Sequence, residues 1–121
     1  MSEEEFNMLL LEAIDEGFSA IGQSSKQAIF YHLETGFGIR KQEVPEKVDE
    51  FANAIERIFG LGASFLEILI MKLLYEKTKL TVQLDSPKDF KFTTYVTSAK
   101  QSFLEKNEST EKTMEKLAHV H

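Results

Sequence analysis

The chain has 121 residues, 42% hydrophobic and 28% charged, which suits one self-supporting domain and excludes wholesale disorder. It has no cysteine, so disulfides, thiolate metal sites and cysteine nucleophiles are excluded together. Of the net charge of −6, residues 1–60 hold −7 (five basic, twelve acidic) and residues 61–121 hold +1 (nine basic, eight acidic); a nucleic-acid-binding domain concentrates positive charge, so the balance argues against that partner.

The N-terminal Met-Ser-Glu-Glu-Glu places acids where a secretory signal carries basic residues, and a cytoplasmic protein is expected. A first helix is predicted from Ser2 to Gly17, with Glu3, Glu4 and Glu5 near the positive end of its dipole. Phe6, Leu10, Ala13 and Ile14 form its apolar stripe, Met8, Leu9 and Leu11 widen it, and Gly17 is read as its stop. Glu12, Asp15 and Glu16 cluster on this helix. The Glu-x-x-His pairs that complete metal sites in helical bundles are missing, so the cluster is read as a solvated face.

A second helix is predicted from a cap at Ser24 or Ser25 through Ala28, Ile29, His32 and Leu33 to Gly36. His32 is read as a partly buried structural histidine, because Glu34, two residues on, lies on another face. Residues 37–44 read as a loop. Pro45 then opens a third helix whose buried face is Phe51, Ile55, Ile58 and Phe59, and Gly60 stops it. Gly60-Leu-Gly62-Ala-Ser follows a helix and lacks Gly-Lys-Ser/Thr, so it is a helix restart and not a phosphate loop.

The fourth helix, Ala63 to Glu76, is the most apolar. At 100° per residue, Leu66, Leu69, Ile70 and Leu73 share one face, while Ile68, Met71 and Tyr75 lie nearly opposite. Glu67 and Lys72 break the longest apolar run, so no membrane span is expected. A helix apolar all round is covered all round. Ile68, Met71 and Tyr75 are therefore the candidate partner interface, best met by a homodimer; the alternative is cover by the first and fifth helices of the same chain.

Leu80, Val82 and Leu84 alternate with polar residues, giving a short extended segment near residues 80–84. A fifth helix carries Phe92, Val96, Ala99 and Phe103 at amphipathic spacing. Residues 107–121 form a polar extension in which Met114, Leu117 and Ala118 suit a sixth, docked helix. His119 and His121 lack accompanying ligands and read as a solvated terminus. The expected architecture is all-α: a compact bundle of five or six helices in one domain over residues 1–106, followed by the extension. No catalytic, cofactor-binding or metal-binding residue is assigned, no small-molecule substrate is evident, and the chain is not expected to be an enzyme.

Six stretches carry a family resemblance. Leu10-Leu-Glu-Ala-Ile-Asp-Glu-Gly-Phe leads to Lys26-Gln-Ala-Ile-Phe-Tyr-His-Leu-Glu, then to Val44-Pro-Glu-Lys. Residues 51–62 and Leu66-Glu-Ile-Leu-Ile-Met-Lys-Leu-Leu-Tyr-Glu-Lys follow, and Phe92-Thr-Thr-Tyr-Val ends the pattern. Together they resemble the archaeal Nitrosopumilus output domain family, fifth type, over roughly residues 9–100, most specifically over 51–77. The resemblance implies a small helical domain that stands alone or beside signalling modules and contacts other macromolecules, with no catalytic residue to transfer. It implies a non-catalytic regulatory or signalling interaction module. The alternative is a nucleic-acid-associated regulator using Lys72, Lys77, Lys79, Lys88 and Lys91.

Overall fold

A computed structural model describes the backbone of residues 2–81 and 90–119 and the side chains of residues 3–81 and 90–106. Among the described residues five α-helices form the bundle: α1 (Ser2–Ser19), α2 (Gln23–Phe37), α3 (Val48–Phe59), α4 (Ala63–Thr78) and α5 (Phe92–His119). Short 3-10 turns at Lys41–Glu46 and Gly60–Gly62 precede α3 and α4. The architecture is all-α, and there is no strand among the described residues. Leu80 and Thr81 leave α4 in non-regular backbone, while most of the expected extended segment, with Val82 and Leu84, lies outside the described residues.

α4 is the central element, packed most extensively on α1 and next on α5. α1 buries Phe6, Leu10, Ala13, Ile14 and Phe18, which recur at i, i+4, i+7, i+8 and i+12 as one helical stripe requires. Gly17 does not stop this helix, which runs on to Ser19. Its role is contact: a Cβ at position 17 would lie 2.7 Å from Cγ1 of Ile70. The bare backbone lets α1 settle onto α4 at that level.

α2 begins one residue before the expected serine caps. Its N-cap is Gly22, at φ 115°, with no side-chain cap hydrogen bond. The left-handed terminus is Gly38 (φ 67°) and not Gly36; the Gly38 and Ile39 amides donate to the carbonyls of Glu34 and Leu33 at 3.2 and 2.9 Å. That closure tucks Ile39 into the core, followed by Val44 from the 3-10 turn. Pro45 lies inside this turn and does not open α3, which starts three residues later. α2 itself buries only Ile29 and Leu33. His32 is exposed, edge-on to Tyr31, contrary to the expected partial burial, because α2 covers the core with one narrow stripe.

α3 buries Phe51, Ala52, Ala54 and Ile55, whereas Ile58 and Phe59 are only half-buried near its end. α5 buries Phe92, Val96, Ala99 and Phe103 as their spacing predicts. Its backbone continues as one helix to His119, so no separate sixth helix follows; the side chains of Met114, Leu117, Ala118, His119 and His121 lie outside the described ones.

Ion pairs tie α1 to its neighbours. Asp15 is held by Lys26 of α2 (3.3 Å) and Lys41 (3.0 Å), and Lys77 of α4 reaches Glu16 (2.7 Å) and Glu12 (3.7 Å). Lys100 of α5 meets Glu3 at 2.8 Å. The acidic cluster is thus engaged by lysines from neighbouring segments. The Lys41 hydrogen bond is the main cause that holds the Asp15 carboxyl below its usual range.

The Gly17–Ile70 approach predicts a specific coupling. Gly17→Ala gains helix propensity but overfills the contact, and is expected to cost about 1–2 kcal/mol net in urea unfolding. In an Ile70→Ala background, where Cγ1 is gone, the same substitution should become neutral or stabilising. An equal cost in both backgrounds would mean that another contact is responsible.

Candidate functional site

The buried arc of α4 comprises Ala63, Leu66, Glu67, Ile70, Met71, Leu74, Tyr75 and Thr78, spanning about 180° of the helix. Two corrections to the expected faces follow. Leu69 and Leu73 are only half-buried, while Leu74 is fully buried. Met71 (0% exposed) and Tyr75 (7%) lie inside the chain's own core, leaving only half-buried Ile68 of the three expected interface residues near the surface. Tyr75 donates its hydroxyl to the Tyr95 carbonyl at 2.9 Å, and its ring meets the Tyr95 ring edge-on. The second stripe is therefore covered within one chain, with α5 supplying the partner for the tyrosine.

Apolar surface emerges instead at the corner between α3 and α4. Leu61, set between Gly60 and Gly62, is 99% exposed, and Phe65 on the first turn of α4 is 83% exposed. Gly60, at φ 57° and ψ −126°, ends α3 and turns the chain so that Leu61 projects. Ile21, from the α1–α2 connection, is also exposed. Beside these side chains is an apolar recess of about 160 Å³, lined by Ile21, Phe59, Gly62, Phe65, Leu66 and Leu69. Exposed contiguous apolar surface of this kind marks interaction sites.

The helical run Val48–Thr78 also contains an 18-residue window of mean hydropathy 1.8, so Glu67 and Lys72 do not bring it below what length and composition require of a membrane span. The run is broken by the 3-10 turn at Gly60–Gly62, and its Phe51, Ile55, Leu66 and Ile70 build the core of the bundle.

A second feature lies on the buried side of α4. Glu67 is 4% exposed and has no hydrogen-bond partner among the described residues. It lines a cleft of about 490 Å³ between α3, α4 and the start of α5, together with Asp49, Asn53, Glu56, Lys91 and Thr94. Burial, reinforced by the charge of Glu56, raises the Glu67 carboxyl to about 7. Among the described residues no group of three or more acids and histidines is placed to hold a metal ion.

The proposed basic face is divided. Lys77 is engaged by Glu12 and Glu16, Lys91 lines the acidic cleft, Lys72 and Lys79 are exposed, and Lys88 lies outside the described residues. Ser24 and Ser25 are exposed at the start of α2. Compared with family models, with curated proteins and with solved structures, the chain shows no significant match.

Glu67 sets a pH prediction. Its folded carboxyl binds a proton more tightly than the unfolded one, so the folded protein loses stability as pH rises from about 4.5 to about 7, and the penalty is constant above that range. Glu67→Gln is expected to unfold at higher urea than the parent at pH 8, by about 2–3 kcal/mol, with the difference shrinking toward pH 4.5. Urea titrations of both proteins across this range check it, and a difference independent of pH would contradict it.

Proposed function

We propose that this protein is a non-catalytic regulatory or signalling module that acts through protein contact, as a homodimer, in the cytoplasm. The observation that carries the reading is the α3–α4 corner, where Leu61 and Phe65 project beside an apolar recess on the same surface. A twofold dimer uses the same patch on both subunits, so such a patch must complement itself. A projecting leucine next to a recess of about 160 Å³, sized for an aliphatic side chain, meets that requirement. The reading moves the interface from Ile68, Met71 and Tyr75 to Leu61, Phe65 and the recess around Gly62, with Ile68 at its edge.

The resemblance to the archaeal output domains supports a signalling setting, since its most specific part, residues 51–77, contains this corner. Apolar anchors at the centre of an interface carry most of the affinity, and neither Leu61 nor Phe65 contributes its side chain to the core. Their exposure separates binding from folding.

Leu61→Asp and Phe65→Asp should each leave the melting temperature of the monomeric fold nearly unchanged. Burying either side chain in a dimer is worth about 2 kcal/mol, so each substitution should weaken dimerisation about 30-fold or more. Light scattering over a concentration series checks the outcome. A parent protein that stays monomeric at high micromolar concentration would sink the dimer reading.

A further inference from the structure

Glu67 occupies a position that a bundle of this kind fills with an apolar residue. It lies within the buried arc of α4, between Leu66 and Ile70 on one side and Met71 on the other, and it is more than nine-tenths buried. Its carboxylate finds no hydrogen-bond donor among the described residues, yet it opens on the cleft that α3, α4 and the start of α5 enclose. No unpartnered side-chain oxygen is sealed off among the described residues, so the Glu67 oxygens remain reachable from the cleft; the charge there is under-solvated, and an entering cation meets an open acceptor.

The surroundings specify what that partner is. From α3, Asp49 and Glu56 line the same cleft, and Lys91, just before α5, is the cation among its lining residues. With Glu67 ionised, three carboxylates face one ammonium, giving the lining a charge of −2. The carboxylates are spread around the cleft and are not gathered to hold one metal ion. Separate acceptors of this kind suit a ligand with several N–H donors. Asn53 adds a neutral polar group, and Phe90 provides an apolar wall against which an aliphatic stem can lie. The volume, about 490 Å³, falls within the roughly 300–1,000 Å³ typical of ligand clefts.

We propose that this cleft binds an aliphatic ammonium or guanidinium group, with Glu67 as its buried anionic anchor and Asp49 and Glu56 as outer acceptors. The group is supplied either by a free amine or by a Lys or Arg side chain of a partner protein. Binding requires Glu67 to be ionised, so in the neutral-to-acid range the ligand displaces the proton that the buried carboxyl otherwise holds. The groups facing Glu67 in that exchange are Glu56 and Asp49 from α3 and Lys91 from the approach to α5. The inference is independent of the α3–α4 corner, because Leu61 and Phe65 are not among the cleft's lining residues.

Calorimetric titration of the full chain with putrescine and with agmatine tests the free-amine source. A parallel titration with end-blocked Gly-Lys-Gly and Gly-Arg-Gly peptides tests the side-chain source. Either arm, or both, should show one site, about 30-fold tighter at pH 8 than at pH 5.5. Titrations near pH 6 in buffers of different ionisation enthalpy should report release of a proton. Glu67→Gln, expected to fold at least as stably as the parent, should weaken binding about tenfold or more and abolish the proton release. Glu56→Gln, at an exposed position, should weaken binding less, and tetramethylammonium, which has no N–H donors, should bind poorly. Absence of binding in both arms up to about 10 mM at pH 8 would overturn the proposal. So would equal affinity in Glu67→Gln.

Discussion

The bundle depends on how closely α1 can approach α4. With no Cβ at Gly17, the backbone of α1 comes within reach of Ile70, and the two helices pack more extensively than any other pair. That approach decides which way α4 faces. Once Ile70 points at α1, Leu66 and Leu74 flank it on the same side, Met71 and Tyr75 turn toward the remaining interior, and Phe65 is carried to the outside. α1 also collects the ion pairs, with lysines from α2, α4, α5 and the 3-10 turn converging on its acids. Each of these half-exposed pairs contributes little by itself. Their consistency lies in direction, since each pulls a neighbour onto the helix that Gly17 has seated.

The elements with a single clear stripe were legible in the sequence. Phe6, Leu10, Ala13 and Ile14 in α1, and Phe92, Val96, Ala99 and Phe103 in α5, repeat at spacings only a one-sided helix explains, and all eight are buried. Capping residues were less legible because several candidates stood close together. Gly36 and Gly38 both suit a left-handed terminus, and the choice fell where Ile39 could reach the core. Pro45 suits a first helical turn but also suits a 3-10 turn, and here the chain needed Val44 buried before α3 began. Gly17 had a local signature identical to that of a helix stop. Its role depends on a residue 53 positions later, which no local pattern contains.

α4 was the hardest segment to read for the same reason. Apolar residues on every side leave periodicity with nothing to select, so its orientation comes from α1 and α5 and not from its own sequence. Leu69 and Leu73 drew a plausible core face with Leu66 and Ile70, yet the arc rotates so that Leu74 takes the buried place. The expected interface at Met71 and Tyr75 vanished in that rotation, closed by the hydrogen bond from Tyr75 to the Tyr95 carbonyl. Leu61 between two glycines was the available hint that apolar surface would emerge at the corner. A general rule that acids face water would have placed Glu67 outside, which is why the cleft was invisible before the helices were assembled.

The approach to α4 and its first two turns therefore carry two inversions of ordinary patterning, an apolar pair outside (Leu61 and Phe65) and an acid inside (Glu67). Neither adds to the stability of an isolated chain. Leu61 and Phe65 leave apolar surface in water, and Glu67 is held in a cleft where its charge is poorly solvated. Proteins depart from local consistency in this way chiefly where a surface or a site has work to do. The two departures sit on opposite sides of one helix whose seating is set elsewhere, at Gly17. A change in the packing of α1 on α4 would rotate both together, so the corner and the cleft share a mechanical dependence even though they recognise different chemistry.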